Sequence, residues 1–413
     1  MEIDSIVLEK LPVMNKALRI AFVTETYPPE VNGVANTAVH FVEGLRARNH
    51  EIQLVRPRQS RASQPGDAAG FREVLMRGLP IPRYPDLRMG LPAKRALVRM
   101  WSLHRPDIVH IVTEGPLGWS ALQAALKLKL PVSSDFRTNF HAYSRHYGIG
   151  WLRNPIAAYL RKFHNRTLMT MVPTESLRKQ LAATGFRNLR VVARGVDTEL
   201  FTPARRSEAL RASWGIAPHE TVILHVGRLA PEKNLGPVIA AYEQILREVL
   251  RAKLVFVGDG PARDSLRQRC PDAIYAGMRT GDDLAAHYAS GDMFLFPSLT
   301  ETFGNVTVEA MASGLAVVAY DYAAAAEHIV SGDNGLLARY DDAEGFVRQA
   351  KALAADRASI RGFGARARQT AEKLAWVRVV GQFETLLLAV ASMQSEPLDA
   401  TLINAVAGGG AAS

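Results

Sequence analysis

Residues 297–314 read PSLTETFGNVTVEAMASG, and the rest of the chain is organised around them. Two carboxylates, Glu301 and Glu309, are separated by seven residues that include Phe303, Gly304 and Asn305. The apolar run DMFLF at 292–296 predicts a buried parallel strand, 297–304 a loop at its carboxyl end, and 305–313 a short helix stopped by Gly314. Such a helix starts beyond the strand ends, where its free N–H groups and positive dipole end suit an anion such as a diphosphate. Glu309 lies one turn further in, within the small, apolar run 306–312, where an unpartnered charge is costly. Each acid alone also reads as a solvated surface group. Together they are placed to reach neutral hydroxyls from two sides of one pocket.

Outward from this stretch the chain alternates strands and helices, the signature of doubly wound parallel sheets. Downstream, AVVAY at 316–320 is the next strand, followed by a helix over 323–330 and a closing helix over 375–392 with a glycine at 381. Upstream, strands are expected at 221–226 (TVILHV), 252–257 (AKLVFV) and 274–277, with a helix over 281–290. The first half carries a strand at 18–24, a helix over 34–49, and strands at 51–55, 107–112, 132–134, 171–173 and 191–193. The run Arg194-Gly195-Val196-Asp197 reads as the crossing between halves, and 203–220 as a polar stretch before the second series. The expected organisation is a loosely ordered leader at 1–16, one domain over 17–195 with helix 375–392 packing back towards it, a second domain over 196–374, and a disordered tail at 394–413.

At 413 residues the chain is long enough for two domains, each with a sizeable core. Hydrophobic residues make up 48% and charged ones 22%, and no apolar run approaches the ~20 residues of a membrane span. The start carries acids and does not read as a signal peptide, and a single cysteine, Cys270, excludes an internal disulfide, so a cytoplasmic setting is expected. Residues 1–195 hold 29 Lys+Arg against 14 Asp+Glu, or +15; the remaining 21 and 26 give −5, and the sum is the net +10. The basic first half fits a polyanionic neighbour. Two basic, partly aromatic stretches, 93–105 and 151–166, have the pattern of amphipathic helices on an anionic lipid surface and equally of core-facing helices with solvated charges. They include no nucleic-acid recognition motif.

Arg228 and Lys233 lie on the loop that ends strand 221–226, so two cations join the helix start at 305. An arginine clamps phosphate oxygens bidentately while a lysine supplies a mobile point charge, and together they suit a dianion. Gly33 sits after the first strand, where a backbone approaches a phosphate closely. The turn Gly258-Asp259-Gly260-Pro261 is not the dinucleotide fingerprint, because position 263 is Arg, and nicotinamide hydride chemistry is disfavoured.

GRLAPEKN, GDGP and FPSLTETFGNVTVEAMASG resemble the retaining GT-B glycosyltransferases of family 4, over nearly the whole chain from Arg19 to about Leu388. The resemblance implies an α/β fold of two Rossmann-like domains facing across a cleft, with a nucleotide-diphospho-sugar held mostly by the second and a lipid or glycan acceptor by the first. It implies that Arg228 and Lys233 bind the diphosphate, Glu301 the donor sugar, Gly304 and Asn305 phosphate and sugar through their amides, and Glu309 the ribose. Gly33 then approaches the phosphates from the first domain, while Gly277, Met278, Phe303 and Val306 complete the donor site. Arg228, Lys233 and Glu301 are the catalytic candidates. No Asp-x-Asp triplet occurs, and neither metal nor cofactor is expected.

The stretch 134–140 departs from the family pattern, with Arg137 where a His is common. In that family the His lies beside the donor sugar; Arg137, Asn139 and His141 are the candidates for the acceptor or donor side of the cleft, Arg137 to contact phosphate or an acidic sugar, with His146 another position for the missing imidazole. FGNVTVEAMASG and VVAYDYAAAAEH are most similar to GDP-mannose-dependent α-mannosyltransferases and to sulfoquinovosyltransferases, which favours GDP-mannose as donor and an acceptor at the cytoplasmic face of a membrane. A UDP-sugar, including an acidic one suited to Arg137, is the alternative; a sugar-nucleotide epimerase and a non-catalytic anionic-surface-binding protein are the more distant readings.

Overall fold

The computed structural model describes residues 17–30, 32–60, 63–81, 84–137, 153–217, 219–248, 252–301 and 303–393. The expected leader 1–16, the tail 394–413 and the candidates Asn139, His141 and His146 lie outside these residues.

In the first half the strands are β1 (Arg19–Val23), β2 (Glu51–Pro57), β3 (Asp67–Ala68), β4 (Phe71–Met76), β5 (Gly78–Ile81), β6 (Tyr84–Gly90), β7 (Ile108–Ile111), β8 (Val132–Asp135), β9 (Met169–Val172) and β10 (Leu189–Val191). In the second they are β11 (Thr221–Val226), β12 (Ala252–Val257), β13 (Ile274–Gly277), β14 (Met293–Phe296), β15 (Ala316–Tyr320) and β16 (Gly335–Ala338). The first sheet runs β10-β9-β8-β7-β1-β2-β4-β3, the second β13-β12-β11-β14-β15-β16, and β5 and β6 form a separate hairpin. All neighbours in the two large sheets are parallel except β3 and β4. All six residues of β11 and all five of β15 are buried, as expected of strands covered by helices on both faces.

Strand order reverses between β1 and β7 in the first sheet and between β11 and β14 in the second. These are the crevices in which open parallel sheets hold ligands, beyond the carboxyl ends of the strands. The loop entering helix Gly33–Arg46 leaves β1, while the loops carrying Lys233 and Glu301 leave β11 and β14.

The closing helix Trp376–Ser392 runs unbroken through Gly381. Its buried side brings Val379, Val380, Phe383, Leu387 and Val390 into the core formed by β1, β2 and helix Gly33–Arg46. Phe383 stacks on Phe41 with ring centres 4.0 Å apart, and Glu384 bonds both Arg48 and His50 at 2.9 Å. The chain therefore crosses between halves twice at one place, where the Val196 amide bonds the Leu374 carbonyl at 2.9 Å.

One expectation needs correction. The stretch 203–220 is not a plain polar connection: it holds helix Glu208–Ser213, whose Arg211 is buried and donates to Ser290 O at 2.9 Å, Asp292 at 3.1 Å and Glu220 O at 2.8 Å. Of the two readings open for the basic stretches, the buried residues fit the core-facing one: in helix Lys94–Leu103, Leu97 and Trp101 are buried, and in Arg153–His164 Leu160 and Phe163 are, while Arg95, Arg99, Arg161 and Lys162 are exposed together with Leu103 and Tyr159.

Candidate functional site

Strand β14 ends at Phe296, and the loop after it carries Glu301 back against the loop after β11. Lys233 forms an ion pair with Glu301 Oε1, which also accepts from the Ser298 hydroxyl at 2.7 Å. The Tyr322 hydroxyl fixes the Glu301 carbonyl at 2.9 Å, and the Lys233 ammonium lies 5.8 Å from the centre of the Phe296 ring. This brings the predicted cation and carboxylate together. Gly304 then takes a left-handed conformation, φ 91°, and turns the loop into helix Asn305–Ala312. A side chain there would be strained, so the glycine sets the helix direction. Phe303 is buried, Val306 is half-buried, and the Asn305 side-chain oxygen is buried without a partner among the described residues.

Glu309 accepts a hydrogen bond from the Tyr288 hydroxyl at 2.9 Å. Burial pushes its carboxyl up to about 7, with the Tyr288 bond opposing the rise. A carboxyl poised there both accepts and, when protonated, donates, which suits a pair of hydroxyls. The remaining second-half candidates are at the rim. Arg228 has a side chain 66% exposed and pairs with Glu232 at 3.3 Å instead of reaching Glu301. Gly277 ends β13, and the side chain of Met278 is exposed.

Across the cleft, Asn32 caps helix Gly33–Arg46, its side chain accepting from the amides of Val34 and Ala35 at 3.0 and 2.8 Å. A Cβ added to Gly33 would lie 2.7 Å from Nη1 of Arg194, so the glycine makes room for that guanidinium. Arg194 also faces the second half, with its guanidinium carbon 5.9 Å from the Phe303 ring centre. Burial, and secondarily the charge of Arg137, lowers Arg194 to about 9 against the pull of Asp135 and Glu301. Arg137 is itself buried, donating through Nε to Asp135 Oδ2 at 2.7 Å and lying over Phe41. Burial alone would raise Asp135, but Arg137 and His110 outweigh it and hold the carboxyl down to about 2.

Arg194, Asp135 and His225 were not among the predicted site residues. Arg194 reads from sequence only as part of a chain crossing, although a cation followed by Gly just past a strand end marks it. His225 is buried under the Lys233 loop, its Nδ1 donating to Leu295 O at 2.9 Å, and burial lowers it to about 4. Among the described residues no group of three or more His, Cys, Asp or Glu could hold a metal ion, and no helix is long and apolar enough to cross a membrane.

Two family models match, Glycosyltransferase Family 4 over residues 31–200 and Glycosyl transferases group 1 over 220–356. The chain is 33% identical over 379 residues to a GDP-mannose-dependent alpha-mannosyltransferase of Mycolicibacterium smegmatis, covering 90% of this chain and 98% of that protein. It is 31% identical over 385 residues to the sulfoquinovosyl transferase SQD2 of Arabidopsis thaliana, covering 91% and 74%. In fold it is similar to Anabaena Alr3699/HepE, solved in complex with UDP, with TM-score 0.71 over 90% of this chain and all of that one at 19% identity.

Proposed function

Given that the chain belongs to glycosyltransferase family 4, has the GT-B fold and is a sugar transferase, we propose that it moves a hexose with retention from a nucleotide-diphospho-sugar, GDP-mannose first among them, to a lipid or envelope-glycan acceptor. The observation that carries this reading is the Lys233–Glu301 pair beside the Gly304 turn, opposite Gly33 and Arg194. The mannosyltransferase relative matched over nearly its whole length supports the choice of donor. The matched sulfoquinovosyl transferase and the buried Arg137 favour, second, an acidic UDP-sugar.

In the proposed reaction the bond from the anomeric carbon to the diphosphate oxygen breaks, and the acceptor oxygen bonds to the same face of that carbon. The acceptor proton passes to a donor phosphate oxygen. Charge builds on the departing diphosphate, where Lys233 and the start of helix Asn305–Ala312 are preorganised to meet it without a metal, and the exposed Arg228 joins them by leaving Glu232. Glu301, held by Lys233 and Ser298, orients the sugar and is not a nucleophile; Glu309 takes the ribose. The acceptor enters from the first half, whose exposed basic side suits an anionic membrane at its cytoplasmic face. Buried, unpaired Cys270 fits that reducing compartment.

A thermal-shift and nucleotide-release screen with GDP-mannose, UDP-glucose and UDP-glucuronate tests this reading. One donor should raise the melting temperature and release nucleotide on adding membrane lipid, with undiminished rate in EDTA and an α-linked product by NMR. A protein indifferent to every nucleotide sugar would overturn it.

A further inference from the structure

Arg137 and Arg194 are both more than nine-tenths buried, yet they are poorly satisfied. Among the described residues Arg137 uses only Nε, leaving Nη1 and Nη2 buried without a partner, and Arg194 Nε has none either. Arg211 is an internal comparison: equally buried and likewise without a partner at Nε among the described residues, it still spends both Nη groups on two carbonyls and Asp292, so the two unmatched Nη groups of Arg137 are what set this pair apart. A guanidinium retained for structure is satisfied in that way, because its unmatched N–H groups are costly out of water. Arg137, Arg194 and Lys233 supply three positive charges against two negative ones on Asp135 and Glu301, so one charge is left over at the cleft. Burial and the charge of Arg137 both work against Arg194 remaining protonated. The sheet order explains the meeting: Arg137 and Arg194 follow the ends of β8 and β10, two strands apart.

We propose that Arg194 and Arg137 form an oxyanion subsite on the first-half wall of the cleft, apart from the Arg228 and Lys233 loop, that binds an anionic group of the substrate. The planar guanidinium fork fits a phosphate, carboxylate or sulfonate alike. That Arg194 lies between Gly33 and Phe303 places the subsite where both halves meet the donor. The inference rests on the transferase reading for the identity of the substrate. It has two sources for the oxyanion, the donor's terminal phosphate and an acidic group on the sugar.

Calorimetric and thermal-shift titrations of wild type, Arg194→Gln, Arg137→Gln and Arg194→Lys with GDP, UDP, UDP-glucose and UDP-glucuronate separate the sources. A phosphate subsite gives about 10-fold or greater weakening of GDP or UDP in both Gln variants, partly restored by Arg194→Lys. A sugar-acid subsite leaves nucleotide affinity intact and removes about 10-fold or more of the preference for UDP-glucuronate over UDP-glucose. Binding of every probe within about 2-fold of wild type in both Gln variants overturns the proposal. Should those variants not fold, wild type alone decides: sulfate must raise the melting temperature along a saturating curve at low-millimolar concentration, below the range of general salting-out stabilisation, and a merely linear rise refutes the subsite. Nucleotide release by wild type is scored separately. A wild type that releases nucleotide while the variants bind like it loses only the subsite, whereas one inert to every donor but stabilised by sulfate through Arg194 keeps the subsite and loses the transferase reading.

Discussion

The Tyr288 hydroxyl donates to Glu309 across 2.9 Å from a neighbouring helix, and this bond does not compensate for the burial of the carboxylate, whose pKa rises from the ordinary 4.5 to about 7. Between those values the folded protein holds a proton that the unfolded chain has released. The stabilisation is therefore complete below pH 4.5 and is lost as pH rises through 7. Glu309→Gln should raise stability at pH 8 by up to ~3 kcal/mol, at 1.36 kcal/mol per pKa unit, and change it little near pH 4.5. Melting curves across that range check this, and a pH-independent effect would contradict it.

Lys233→Ala removes the cation that holds Glu301 and faces the leaving group. Loss of one such preorganised group costs ~10²–10³ in turnover. Single-turnover nucleotide release should show that loss, and a fall below 5-fold would remove Lys233 from the chemistry.

Glu301→Ala should lose turnover and discrimination between GDP-mannose and GDP-glucose, with affinity for GDP or UDP kept. The relevant quantities are the kcat/KM ratio of the two sugars and the nucleotide Kd. Lost nucleotide binding with unchanged discrimination would reassign the residue.

Gly33→Ala places a carbon 2.7 Å from Arg194 Nη1 and must displace that guanidinium. Donor KM should rise by ~10-fold or more, since an ångström of misplacement at a reacting site costs up to ~10² in rate. The helix itself tolerates alanine, so the melting temperature should stay near that of wild type. A matching collapse of stability would show a packing role only.

Much of the second half is legible in sequence because its strands are short, mostly apolar runs bounded by turn residues: 221–226, 252–257 and 274–277 coincide with β11, β12 and β13, although β13 at the sheet edge is only half-buried. The edge of the first sheet is not, since β4 is only half-buried and the following hairpin contains prolines, so neither shows a continuous apolar run. Glu301, Lys233 and Gly304 were legible because short loops at adjacent strand ends hold them together. Arg194 with Arg137 was not, because they meet only through the order of β8, β9 and β10. Arg211 escaped because an arginine in a polar stretch gives no sign that a neighbouring strand end will bury it.

The first-half core is closed by residues from the far end of the chain. Phe383→Ala should cost ~3–5 kcal/mol, read as a loss of stability in a denaturant melt, because it empties the stack on Phe41.

The same arrangement sets a timetable during synthesis. The second half is contiguous and has all its strands once β16 has left the ribosome. The first half emerges earlier but exposes the groove beside Phe41 and Val42 until Phe383 and Leu387 arrive, roughly 10–40 s later at about 5–20 residues per second. During that interval the half made first is the one finished last, and its uncovered apolar groove is the place where a nascent chain of this protein is exposed to aggregation and to chaperones.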